Sequence, residues 1–163
     1  MAIVFEAATE KAQLEIIQNL AHTIWKQVYT EIVSMEQLDY MLELIYSIPA
    51  LENQQQQGQM FVLIKEQEDY IGYLSYQKYT EKTKLHKLYL LPATQGRGFG
   101  VAMLDYVVAF VRNSGQRSLY LNVNKYNKAK LFYERYGFRQ IAEEVIDIGE
   151  GYVMDDYIME YLV

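Results

Sequence analysis

The densest run of chemically suggestive residues in the chain is Leu88-Tyr89-Leu90-Leu91-Pro92-Ala93-Thr94-Gln95-Gly96-Arg97-Gly98-Phe99-Gly100. A β-rich stretch stops at Pro92 and glycines follow at alternate positions. From Val101 to Val111 apolar residues then recur at helical spacing. In a strand–turn–helix of this kind the N–H groups from Gln95 to Gly100 point outward together at the positive end of a helix dipole, which suits a phosphate or pyrophosphate. The glycines admit a ligand where a Cβ would collide, and Arg97 adds charge at the rim. No Gly-Lys-Ser/Thr triphosphate loop is present. Gly96-Arg97-Gly98-Phe99-Gly100 also lacks the spacing of a dinucleotide fingerprint. Taken alone, the cluster reads equally as a phosphate cradle and as a tight turn.

A second segment follows after the next β-rich run: Asn127-Lys128-Ala129-Lys130-Leu131-Phe132-Tyr133-Glu134-Arg135-Tyr136-Gly137-Phe138. The pair Gln95-x-x-Gly98-x-Gly100 and Asn127-x-Ala129-x-x-Phe132-Tyr133-Glu134-x-x-Gly137-Phe138, in this order, resembles the GCN5-related N-acetyltransferase (GNAT) superfamily. Its specific motifs lie between Leu85 and Phe138, and the order of elements is similar over nearly the whole chain. The resemblance implies a single domain over residues 1–163. Its fold class would be α/β: a mixed, mainly antiparallel sheet flanked by helices, with a splayed strand pair that admits acetyl-CoA.

The resemblance also assigns roles. Main-chain groups of Gln95, Gly96, Arg97, Gly98, Phe99 and Gly100 would hold the pyrophosphate of acetyl-CoA. Leu88, Tyr89 and Leu90 would meet its pantetheine arm and thioester, and Asn127 would lie near that arm. Tyr133 matches the tyrosine that gives a proton to the departing thiolate; a phenol with an ordinary pKa near 10 suits that transfer. Relatives commonly carry a glutamate base on the strand before the turn, where this chain has His86. A histidine can act as base near neutral pH, but a partly exposed strand histidine is an equal reading. Glu81, Asp155-Asp156, or no dedicated base are the other options. The expected activity is transfer of an acetyl group from acetyl-CoA to a primary amine, without a metal, and the alternative is a non-catalytic acyl-CoA-binding module.

The acceptor would lie against the first two helices and the last strands. Trp25, Tyr29, Glu31, Tyr40 and Tyr46, with Glu143, Glu144, Asp147, Glu150, Asp155 and Asp156, would give an aromatic and acidic lining suited to a cationic amine. The closing pattern Ile148-Gly149 to Tyr157-Ile158-Met159 is similar to bacterial spermidine/spermine acetyltransferases of the superfamily. A polyamine, a peptide amine and a small-molecule amine all stay open, as does a longer acyl donor. Many relatives pair, so a homodimer is a further expectation.

These groups must be positioned by the rest of the chain. Apolar spacing predicts a strand over Ala2–Ala7, a helix capped by Thr9 and running to about Tyr29, and a second helix behind the capping box at Ser34. Leu51–Gln59, with four consecutive glutamines, reads as a solvated loop. Met60–Lys65 and Tyr70–Tyr79 form a hairpin, and Lys84–Leu91 is the strand before the glycine turn. Helix, strand, helix and a terminal strand pair around Gly149-Glu150-Gly151 follow. The 163 residues carry 51% hydrophobic and 22% charged side chains, a composition that builds a packed core. The net charge of −6, without a basic run, argues against nucleic acid as partner. Without cysteine and with two histidines, disulfides, thiolate nucleophiles and multi-histidine metal sites are not expected. No signal-peptide pattern or long apolar run occurs, so a cytoplasmic protein off the membrane is expected.

Overall fold

The computed structural model describes residues 2–163. Strand β1 (Ile3–Ala7) leads into helix α1 (Lys11–Tyr29), and α2 (Met35–Tyr46) and α3 (Ile48–Gln56) follow. Next come β2 (Met60–Glu66), β3 (Asp69–Lys78) and β4 (Thr83–Leu90), then a one-turn 3₁₀ segment at Pro92–Thr94 and α4 (Phe99–Asn113). The chain closes with β5 (Ser118–Asn124), α5 (Ala129–Tyr136), β6 (Arg139–Gly149) and β7 (Tyr152–Leu162). The described strands form one seven-stranded sheet of order β1-β2-β3-β4-β5-β7-β6. Every neighbouring pair is antiparallel except β4 and β5.

Helices cover both faces. Leu85, Leu119, Leu121 and Met159 pack with Met103, Leu104 and Val107 of α4 on one face. On the other, Phe61, Leu63 and Tyr73 pack with Leu14, Ile17, Leu38 and Leu42 of α1 and α2. Burial of these side chains is the main force holding the layers together.

Two local expectations are corrected. Helix α1 starts one residue later than expected, with Glu10 at the N-cap in place of Thr9. Gln13 is the reason: its Oε1 accepts the N–H groups of both Thr9 (2.8 Å) and Glu10 (3.0 Å). Those donors would otherwise be orphaned at the helix start. The glutamine-rich segment is largely helix α3. Ser47 caps it by accepting the Ala50 N–H at 3.3 Å. Pro49 sits in its first turn, where a missing N–H costs nothing. The glutamines are tied down by tertiary bonds. Gln54 Nε2 donates to the Ile45 carbonyl (2.9 Å) and Gln55 Nε2 to the Ala8 carbonyl (2.9 Å).

The sheet is split at its centre. Strands β4 and β5 pair only at Thr83–Leu119, Lys84–Tyr120 and Leu85–Leu121, and beyond Leu85 they part. Across β4 the partners jump from Tyr76–Leu85 to Ser75–Lys87, so His86 is an inserted, bulged residue. The bulge falls at the point where the seam opens. No described helix is long and apolar enough to cross a membrane.

Candidate active site

Two adjoining cavities open from the split. The larger, about 1090 Å³, runs from the glycine turn along the gap between β4 and β5 to α5. Gly98 is the N-cap of α4 and holds a φ of +84°, a left-handed conformation that favours glycine. The first N–H groups of α4 have no intrahelical partners and sit at the positive end of the helix dipole. A Cβ on Gly100 would stand 3.0 Å from Phe132 Cζ, so the absent side chain is what lets α4 and α5 approach. The cleft is lined by Gln95, Gly96, Gly98 and Gly100, by Leu88, Tyr89 and Leu90, and by Asn127 and Tyr133. Asn127 Oδ1 caps α5 through the Ala129 N–H at 2.9 Å.

The smaller cavity, about 270 Å³, lies on the α1–α3 face of the sheet. Tyr29, Leu85, His86, Lys87, Tyr89 and Asn122 border both cavities, so the two communicate. One wall is aromatic: the Trp25 ring stands 4.7 Å from that of Tyr29, 5.2 Å from Tyr46 and 5.7 Å from Tyr89. The Tyr29 and Tyr89 hydroxyls are 3.2 Å apart, and Tyr73 donates to Tyr46 at 2.7 Å. The opposite wall carries Asn122 of β5 and Asp156 of β7. Asp156 is 2% exposed; Asn122 Nδ2 donates to its Oδ2 at 3.3 Å, while its Oδ1 has no partner among the described residues.

Burial and charge set the protonation states. Tyr133 is buried, which lifts its hydroxyl well above the ordinary phenol value, and the nearby Tyr29 adds to the effect. Burial, with Lys84 and Lys87 close by, pushes His86 down to about 3, so its ring is neutral at physiological pH. Its Nε2 lies 3.4 Å from the Tyr79 hydroxyl. Burial raises Asp156; Glu144 adds to the rise, and Asn122 and Lys84 oppose it. Burial and Lys84 bring Lys87 down to about 7.

Comparison with known proteins then decides the family. The model of the acetyltransferase (GNAT) domain matches residues 33–154, three quarters of the chain. The chain belongs to the GNAT acetyltransferase family. A [ribosomal protein bS18]-alanine N-acetyltransferase of Haemophilus influenzae is 28% identical over 96 residues, 59% of this chain and 66% of that enzyme, just short of two thirds of its length. The uncharacterized N-acetyltransferase YuaI of Bacillus subtilis is 26% identical over 149 residues, 85% of this chain and 83% of that one. Among solved structures, the PaiA N-acetyltransferase of Thermoplasma acidophilum in complex with coenzyme A superposes with a TM-score of 0.82 at 24% identity, covering 100% of both chains. That structure and this chain share one fold over their full lengths, as the sequence motifs imply.

In the GNAT turn of this chain the side chains of Arg97 and Phe99 point away from the cleft, and for Arg97 this departs from the expected charge at the rim. Arg97 does not face the cleft: its guanidinium forms a two-pronged pair with Glu66 on β2, at 3.0 and 2.5 Å, and lies over the Phe99 ring. Phe99 is buried against the α4 core, because the first turn of an amphipathic helix directs its apolar residue inward. Tyr133 and His86 both border the cleft. Glu81 is exposed in the β3–β4 connection and borders neither cavity.

Of the expected acceptor residues, Trp25, Tyr29, Tyr46 and Asp156 meet in the smaller cavity, and Glu31 borders the larger one. Tyr40 instead donates to the Ile148 carbonyl at 2.5 Å, fastening α2 to the β6–β7 turn. Glu143 and Asp155 pair with Lys125 at 3.3 and 3.1 Å, and Asp147 accepts the Gly149 N–H at 2.8 Å. Sequence reasoning missed Lys87 and the amides that hold it. Lys87 Nζ donates to Gln54 Oε1 (2.7 Å) and Gln59 Oε1 (3.0 Å), and the residue is 6% exposed. The available signal was Ser47-Ile48-Pro49, a helix start that makes the glutamines structural.

Proposed function

We propose that the protein is an acetyl-CoA-dependent N-acetyltransferase that acts on a primary amine by direct attack. The observation that carries this reading is the meeting, in one cleft, of the glycine turn, the split between β4 and β5, and the buried Tyr133 hydroxyl. The orphan N–H groups at the start of α4 fit a pyrophosphate, and the exposed edge of β4 past Leu85 fits a pantetheine amide chain. Acetyl-CoA supplies the thioester, whose C–S bond breaks as the amine nitrogen forms the new C–N bond.

The chain's own groups manage the protons. Tyr133 holds its proton firmly and gives it to the sulfur as negative charge develops there. Burial raises the basicity of a thiolate in the same cleft, so donor and acceptor stay matched. The amine's proton needs a base. Asp156 suits this role through its unpartnered Oδ1 and its place beside the Tyr29 edge of the cleft. His86, held neutral and far less basic than a free imidazole, serves better as a hydrogen-bonding group on the seam than as the final proton acceptor.

The test is calorimetric titration with acetyl-CoA, with ATP and NAD as controls, followed by thiol-release assays on an amine panel with wild type and Tyr133→Phe. The expected result is micromolar acetyl-CoA binding by both forms, with turnover lower by about 10²-fold or more in the variant. Binding without turnover by either form would favour the acyl-CoA-binding module, and absence of binding would overturn both readings.

A further inference from the structure

The smaller cavity holds a cation that nothing in the catalytic reading uses. Lys87 projects from β4 to the α2–α3 side, where its ammonium is surrounded by two amide oxygens and the rings of Tyr46 (5.7 Å) and Phe61 (5.1 Å). No carboxylate pairs with it among the described residues. A buried lysine without a counter-ion is costly and is ordinarily paired. Lys84, on the same strand, borders the same cavity and is also depressed by burial. Across the cavity Asp156 presents its unpartnered carboxylate oxygen. Strand β5 lies between β4 and β7 in the sheet order. Because β4 and β5 part beyond Leu85, the backbones that carry Lys87 and Asp156 stand farther apart than two strand spacings, roughly 10 Å.

Building on the acetyltransferase reading, we infer that the acceptor is a small zwitterion of the amino-acid type. Its amine docks on Asp156 Oδ1 and its carboxylate on Lys87, with Lys84 in support. A cavity of about 270 Å³ lies below the range that holds drug-sized ligands, and so suits a compact molecule. Two lysines on one wall repel a polycation, which sets the site against spermidine and spermine. Trp25 Nε1, buried on the aromatic wall without a hydrogen-bond partner among the described residues, is a further donor on the cavity lining. The placement of Lys87 near its titration point adds a consequence. An arriving carboxylate raises its basicity, so binding draws a proton onto the ammonium.

The experiment measures acetyl-CoA turnover for free amino acids, each beside its methyl ester and its decarboxylated amine, with spermidine and an alanine-led tripeptide as competing classes. The expected result is that at least one free amino acid exceeds its ester and its amine by about 10-fold or more in kcat/KM. Lys87→Met should collapse that preference by raising KM for the zwitterion, while an unchanged circular dichroism spectrum certifies the fold. Lys84→Gln, at a less buried position, should reduce the preference in the same direction and serves where Lys87→Met fails to fold. The inference falls if esters or plain amines are used as well as the free acids, if only the polyamine or the tripeptide is acetylated, if acetyl-CoA binds and no amino acid is accepted, or if both lysine variants keep the preference. Absence of acetyl-CoA binding would instead overturn the acetyltransferase reading itself.

Discussion

The two cavities that meet at the split sheet are built from different materials. The larger is centred on a glycine turn, a helix start and an open strand edge, all between Leu85 and Val101, with walls added by α1 and by the segment from Leu121 to Arg135. The smaller is mostly side chain, assembled from Trp25, Lys87, Asn122 and Asp156, which are spread over more than a hundred residues and four elements. A main-chain site recognises what all donors of one kind share, and a side-chain site discriminates among acceptors. On the proposed function, the contrast separates the part of the molecule that would fix the reaction from the part that would fix its acceptor.

The sharpest way to break this division is at Asp156. Asp156→Asn should lower turnover by roughly 10²-fold and leave acetyl-CoA affinity unchanged. Wild-type kcat/KM should fall as pH drops through the raised carboxyl value, because only the ionised form accepts a proton, and the variant should lack that acidic limb. A limb that persists in Asp156→Asn would assign the base elsewhere.

Gly100→Val should act on the other cavity. The new side chain must displace Phe132, whose ring borders the cleft. Acetyl-CoA affinity should weaken by about 10-fold or more on calorimetry. An unchanged Kd would mean that the turn does not hold the cofactor.

A third effect is on stability. Folded Lys87 titrates at about 7, against about 10.4 for a free lysine. Between these values the unfolded chain binds a proton that the folded one lacks, so stability should rise with pH from about 7 to about 10. Lys84 adds in the same sense. Urea denaturation across this window should show the rise in wild type and a flatter curve in Lys87→Met.

The smallest effect belongs to Arg97→Ala. An exposed ion pair such as Arg97–Glu66 contributes about 1 kcal/mol or less, so melting and acetyl-CoA affinity should barely move. A loss of affinity beyond about 10-fold would show that Arg97 leaves Glu66 to meet the phosphates.

How far each cavity was legible in the sequence follows from the same contrast. Gly98, Gly100, Asn127 and Tyr133 were legible because they fall on the motif pair that resembles the superfamily, and such motifs are local stretches of chain. The mixed sheet and its splayed seam followed from the motif pair together with the order of elements. Lys87 carried no such mark. Its burial depends on Gln54 and Gln59, and those lie in a stretch whose composition suggests solvent. Asp156 was indistinguishable from Asp155 by type, and only strand parity turns one inward and leaves the other to Lys125. Arg97 misled for the opposite reason: its position is local, but its partner Glu66 comes from a strand thirty-one residues earlier.

The three-rung seam between β4 and β5 also bears on how the protein breathes. Most sheets are closed lattices in which an inner strand is locked on both sides. Here an inner strand is locked on one side only for the length from Lys87 to Leu90. Peptide groups that face the open side along that length should exchange hydrogen with water through openings far smaller than global unfolding. A pantetheine chain laid along them would act as the missing strand, turning a ligand into a piece of secondary structure.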